Sequence, residues 1–116
     1  MLIVEDHHDA SEVLKQVVNI TFDHPHIKTV TTLTAGLDIL KHSSFDLALL
    51  DIGLPDGSGI ELVRYINANH PDTLSVVSTI FDDETHLFEA LRSGACGYLL
   101  KGYSPEELHS LERHPL

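Results

Sequence analysis

Five residues in this chain pair reactive chemistry with an unusual position. Glu5, Asp6, Asp51, Thr79 and Lys101 each stand at or beside the end of a short apolar or β-branched run. A chain that carries charge to the edge of its core and stops there has a reason to do so. If the runs are parallel strands of one sheet, their carboxyl ends lie along one edge, where such sheets bind ligands. Three carboxylates, a hydroxyl and an ammonium would then converge. Clustered carboxylates repel one another and need a cation or raised pKa values. An all-oxygen donor set without cysteine favours Mg²⁺ over zinc. A carboxylate beside Mg²⁺ can attack a phosphoryl group to give an aspartyl phosphate. A lysine and a hydroxyl suit the remaining task, holding phosphoryl oxygens as charge spreads over them. The residues thus point to phosphoryl acceptance on Asp51.

The elements that must position these groups are legible in an alternation of period. Short apolar or β-branched runs fall at 2–4, 28–33, 47–50, 74–80 and 98–100. Three are continuous, as expected of strands covered on both faces. Helical patterns lie between them. Asp9 and Glu12 read as a capping box before Val13, Leu14, Val17 and Val18. Thr34 is placed to cap a short helix carrying Leu37 and Leu40, and Ser58 with Glu61 to open one carrying Leu62, Val63 and Ile66. Asp82 and Asp83 precede Leu87, Phe88 and Leu91, with Gly94 just past that helix end. Ser104, Pro105, Glu106 and Glu107 form a further helix start. Five strands alternating with five helices define an α/β doubly wound sheet.

Composition bounds the function. A chain of 116 residues fits one domain with a core of its own. Seven basic against 18 acidic residues, a net charge of −11, argue against nucleic acid as a direct partner and favour a cation. No apolar run approaches the ~20 residues of a membrane span, and Met1 to Val4 lack the basic flank of a signal peptide. The lone Cys96 excludes an internal disulfide and suits a reducing, cytoplasmic setting. It reads as a small buried hydrophobe.

Taken in order, "IVEDHHD", "LALLDIGLPDGSGIEL", "VVSTIFDDE" and "GACGYLLKG" resemble the receiver domain of two-component response regulators. The intervals from Asp6 to Asp51, Asp51 to Thr79 and Thr79 to Lys101 are 45, 28 and 22 residues, which fit that family. The stretch from Phe81 to Leu108 is similar to the NarL/FixJ (LuxR-type) subfamily. The resemblance covers essentially the whole chain, 1–116, as one receiver domain. It implies a flavodoxin-like, CheY-like (βα)5 fold with strand order 2-1-3-4-5. It makes Asp51 the phosphoacceptor, with Thr79 and Lys101 binding the phosphoryl group. Asp6 and Asp51 would hold Mg²⁺ with the Gly53 backbone carbonyl, and Glu5 would reach the metal through water. Tyr98 falls on the aromatic switch position, although a half-buried strand tyrosine accounts for it equally well. Residues 83–113 correspond to the switching face.

The same resemblance implies a sensor histidine kinase as phosphodonor, dimerisation on phosphorylation, and a signalling switch that hydrolyses its own phosphoryl group rather than a turnover enzyme. Its subfamily acts on DNA through a helix-turn-helix domain, and no such segment lies before Leu116. Departures from the pattern concern Ile80, a β-branched residue beside the hydroxyl, and Gly102, in place of a frequent proline. Ser78 offers a second hydroxyl one residue before Thr79; the interval to Lys101 favours Thr79. A pseudo-receiver, or a stand-alone receiver acting on a protein partner without phosphorylation, is the alternative. A Mg²⁺-dependent phosphohydrolase would need a second carboxylate at the position of Gly53. Nine histidines, among them His7-His8 and His24-x-His26, raise zinc, but there are no Cys partners and no i, i+4 helical pair; His7 resembles the subfamily's usual residue after the acidic pair, and the others read as solvated loop or helix positions.

Overall fold

The computed structural model describes residues 1–23, 26–79 and 84–100, with residues 79, 84 and 100 described by their backbone alone. Eleven elements follow one another in the described chain: β1 (Leu2–Val4), α1 (His8–Thr21), β2 (Lys28–Val30), α2 (Leu33–His42), β3 (Leu47–Asp51), β4 (Gly53–Leu54), β5 (Gly57–Ser58), α3 (Ile60–Asn69), β6 (Leu74–Thr79), α4 (Glu84–Arg92) and β7 (Gly97–Leu100). Five of the strands form one sheet in the order β2-β1-β3-β6-β7, every pair parallel. That is the flavodoxin-like order, once the small antiparallel hairpin β4-β5 is set aside. No sequence pattern announced the hairpin, because two-residue strands are too short to show a period.

Alternation along the strands sends side chains to two separate cores. Leu2, Val4, Ala48, Leu50 and Val77 face one side, where Leu33 and Leu40 of α2, Ile60, Leu62, Val63 and Ile66 of α3 and Ala90 of α4 cover them. Ile3 and Leu49 face the other side, against Leu14 and Val18 of α1. This is why the strand sequences read as unbroken apolar runs. β1 is paired on both sides and its three residues are completely buried. Burying each such aliphatic side chain contributes about 1.5–3 kcal/mol.

Several element boundaries differ from those the patterns predict. The expected strand 28–33 ends at Val30, and Leu33 already belongs to α2. The cap of α2 is Thr32, whose hydroxyl accepts from the Ala35 N–H at 3.0 Å, not Thr34. Thr34 bonds Asp56 instead. Asp9 does not cap α1: His7 holds the cap position without a side-chain bond, and Asp9 lies in the first turn, where its charge complements the helix N-terminus. Ser58 lies one position before the cap of α3, which is Gly59, although its hydroxyl still accepts from the Ile60 N–H at 3.2 Å. Gly94 does stand past α4, with φ +117. Cys96 is exposed rather than buried; its N–H bonds the Ser75 carbonyl at 2.8 Å, and the buried position beside it is taken by Ala95. The helix start at 104–107 lies outside the described residues.

Candidate functional site

Asp51 is the last residue of the central strand β3 and is 4% exposed. Its backbone is fixed from two directions. Across the sheet it stands in register with Ser78 of β6. Behind it lies Gly59, where a Cβ would come within 1.9 Å of the Asp51 carbonyl oxygen. Only glycine fits there, which gives the glycine of the "DIGLPDGSG" motif its physical meaning. The Gly59 N–H closes the turn by donating to the Ile52 carbonyl at 2.9 Å. The Asp51 carboxylate is aimed by the Gly53 N–H, which donates to Oδ1 at 3.1 Å.

β1 delivers the second part of the site. Glu5 and Asp6 follow its last residue directly, and Glu5 is 2% exposed. The Glu5 N–H donates to the Val30 carbonyl of β2 at 3.0 Å, continuing the ladder one residue beyond the strand. Carboxylate oxygens of Glu5, Asp6 and Asp51 and a ring nitrogen of His7 all lie within 4.8 Å of one another. Such a set fits a divalent cation: three negative groups this close oppose one another until a positive charge is shared among them. The sequence expectation of an acidic pocket is met for Glu5, Asp6 and Asp51. Gly53 stands exposed at the start of β4 beside it.

The other expected residues are placed as follows. Thr79 ends β6, one residue beyond the register partner of Asp51, with its backbone opposite Leu100. Ser78, the alternative hydroxyl, is 1% exposed and lies in the body of the strand. Tyr98 lies on β7 and is 46% exposed, turned away from the core. Lys101 and Ile80 lie outside the described residues, as do His24 and the parts of the 83–113 face at 83 and from 101 onward.

Sequence reasoning missed Asp56. Its carboxylate accepts from the Leu33 N–H at 2.7 Å, the Thr34 N–H at 2.9 Å and the Thr34 hydroxyl at 2.8 Å. It caps α2 from 23 residues away and ties the loop after Asp51 to that helix. The Thr34 and Leu33 backbone bonds hold its pKa below the ordinary carboxylate value. The local signal was a turn aspartate in Pro-Asp-Gly; its partner could be found only in three dimensions. A cavity of about 630 Å³ opens at the opposite edge of the sheet, among Met1, Lys28, Asp46 and His70. It does not overlap the carboxylate cluster.

A five-stranded parallel sheet in this order, with buried carboxylates at its carboxyl edge and a glycine pressed against the central one, is the architecture of a receiver domain. Residues 1–112 match the response regulator receiver domain family, and the chain belongs to it. It is 34% identical to the oxygen regulatory protein NreC of Staphylococcus epidermidis over 113 residues, 93% of this chain and 50% of that protein. It is 36% identical to the transcriptional regulatory protein CitT of Halalkalibacterium halodurans over 114 residues, 94% of this chain and 48% of that one. Both bear the names of regulatory proteins, CitT that of a transcriptional one. The chain spans about half the length of these relatives. Among solved structures it resembles a CheY-like receiver domain from Methanospirillum hungatei, with TM-score 0.81 and 27% identity over 97% of this chain and 88% of that one. No described helix is long and apolar enough to cross a membrane.

Proposed function

We propose that this receiver domain accepts a phosphoryl group on Asp51 from a sensor histidine kinase and so switches a transcriptional output in the cytoplasm. The observation that carries the reading is the convergence of Glu5, Asp6 and Asp51 at the carboxyl edge of the sheet in a member of this family. Asp51 attacks phosphorus from its carboxylate. An O–P bond forms as the P–N bond to the kinase imidazole breaks, and the electron pair leaves on the imidazole nitrogen, which takes up a proton. The Gly53 N–H holds Oδ1, so the carboxylate meets the donor in one orientation. Glu5, Asp6 and Asp51, with the Gly53 carbonyl, would hold Mg²⁺. Bound there, the ion neutralises the charge gathered between carboxylates and phosphoryl oxygens.

Thr79 and Lys101 are the expected partners of the phosphoryl oxygens. Thr79 reaches this edge at the end of β6, and Lys101 follows directly on Leu100, the register partner of Thr79. Their engagement pulls on the ends of β6 and β7, and the face from residue 83 to 113, with Tyr98, responds. Output runs through dimerisation and a helix-turn-helix domain, as in regulators of this type. The protein is a switch that hydrolyses its own phosphoryl group slowly, not a turnover enzyme. Intact-protein mass after incubation with an acyl phosphate and Mg²⁺ tests this. One phosphoryl adduct, absent with chelator and absent in Asp51→Asn, is the expected result. An unchanged mass in the folded wild type would overturn it.

A further inference from the structure

The Gly53 N–H that aims the Asp51 carboxylate is itself held by little. Gly53 is exposed, and among the described residues nothing lies within 4 Å of the place its Cβ would take. Its position comes from the hairpin it begins, in which Gly53 pairs with Ser58 and Leu54 with Gly57. Strands of two residues hold little by themselves, so the hairpin depends on what it is tied to. Leu54 is buried in the core at its base. Gly57, at φ +155, lies under Leu33, whose side chain is 2.6 Å from the place of a Cβ there. At the tip stands Asp56. Its carboxylate accepts the Leu33 N–H at 2.7 Å, the Thr34 N–H at 2.9 Å and the Thr34 hydroxyl at 2.8 Å. All three donors belong to the first turn of α2, and α2 is a firm anchor: Leu33, Gly36 and Leu40 are buried, with Gly36 close against Leu62 of α3.

We propose that Asp56 is a positioning residue for the Asp51 carboxylate: it fixes the hairpin to α2 and so holds Gly53 where its N–H orients Oδ1. The inference rests on the phosphoryl reading above and adds a residue to its machinery. The path from Asp56 to Gly53 is short and stiff. Only Pro55, whose ring fixes φ, and the buried Leu54 lie between them, so a displacement at the tip is passed on rather than absorbed. A nucleophile attacks productively only within a narrow range of distance and angle, and slack at the group that orients it lowers the rate. Capping of α2 does not account for Asp56 by itself, because the Thr32 hydroxyl already accepts from the Ala35 N–H at 3.0 Å. The two roles therefore separate by residue. Losing Thr32 frays the start of α2 and leaves the hairpin tied, whereas losing Asp56 unties the hairpin.

The test compares Asp56→Ala with Thr32→Ala in the full chain, by two readouts. The first needs no phosphodonor: the Gly53 amide resonance, assigned by NMR, should shift and its exchange accelerate in Asp56→Ala, and should stay in place in Thr32→Ala. The second is the rate of phosphoryl uptake from an acyl phosphate in Mg²⁺, read by intact mass. That rate should fall about tenfold in Asp56→Ala and about threefold in Asp56→Asn, and should stay within about twofold in Thr32→Ala. Urea unfolding checks that the variants are folded; should Asp56→Ala not fold, both readouts are taken on Asp56→Asn, which keeps one accepting oxygen. A Gly53 amide unmoved in the Asp56 variants, or a Thr32→Ala chain slowed as much as they are, would overturn the proposal. An adduct that forms equally fast in wild type and Asp56→Ala sinks the Asp56 inference alone. No adduct in wild type, with the Gly53 amide still displaced in Asp56→Ala, sinks the phosphoryl reading and leaves the positioning of Asp51 standing.

Discussion

The two sides of this sheet edge are built differently. On one side, β1 and β3 bury nearly everything they carry and α3 buries its aliphatic face: Leu2, Ile3, Val4, Leu50, Leu62 and Val63 have no exposed surface, and Asp51 is locked between Gly59 and Gly53. On the other, α4 and β7 bury little. Among the described side chains of α4, Ala90 is the fully buried one, while Phe88 is 59% exposed, Leu91 42% and Tyr98 46%. Among the described residues, a surface ion pair of Arg64 with Glu89 at 3.1 Å spans α3 and α4, and such exposed pairs contribute at most about 1 kcal/mol. Asp51, the proposed acceptor, therefore sits on the densely buried half. Under the proposed function, the half whose described side chains are the more exposed is the one expected to answer it, since regions of low local burial open at low cost.

The comparison breaks most sharply at Gly59. Alanine there would drive a methyl into the Asp51 carbonyl. Gly59→Ala should lose about 3 kcal/mol or more in urea unfolding and most of its phosphoryl adduct by mass. A stable, fully phosphorylatable variant would show that the loop yields and that the densely buried half is not rigid. Next comes a matched pair of truncations. Leu50→Ala, at a completely buried position, should cost about 3 kcal/mol. Phe88→Ala should stay within about 0.5 kcal/mol. Equal losses would mean that α4 is anchored as firmly as β3.

A smaller effect of opposite sign is expected in the carboxylate cluster. Without divalent cation, Asp51→Asn should raise stability by about 1 kcal/mol, because it removes one of three converging charges while an amide oxygen still accepts from Gly53. A destabilised variant would show that repulsion is not the governing force there. The smallest effect concerns Asp56. Its lowered pKa means that the folded state binds its proton less readily than the unfolded chain does, so its stabilisation is complete above the unfolded value, about 3.9. As pH falls through the lower folded value, that contribution is lost. Amide exchange at Leu33 and Thr34 should accelerate in that acid range in wild type, and already at neutral pH in Asp56→Ala. Unaltered exchange in the variant would dissociate the loop from α2.

How far the sequence reached differs between these parts. The strand cores were legible because buried parallel strands write unbroken apolar runs, with Glu5, Asp6 and Asp51 standing out at their ends, while the sheet order came with the family resemblance. Helix starts were read less well. Thr32 and Thr34 are both plausible caps by type, and the choice between them was made by Asp56 arriving from 23 residues away. Asp9 with Glu12 matches a capping box in composition, yet the chain turns into the helix one residue before it. Cys96 was misplaced because burial of a small residue depends on which neighbour reaches the core, and Ala95 does. His7 was legible as the residue that usually follows the acidic pair in the subfamily; its approach to Asp51 is a product of the sheet, not of spacing along the chain.

The central claim is that a phosphoryl group on the densely buried half is read out by the more exposed half. Hydrogen exchange of the 116-residue chain, with and without acyl phosphate in Mg²⁺ and beside Asp51→Asn, tests it most directly. The account predicts altered exchange across 84–100 in the phosphorylated wild type, unaltered exchange at 2–4 and 47–50, and no response in Asp51→Asn. A confirmed adduct that left 84–100 unaltered would contradict it.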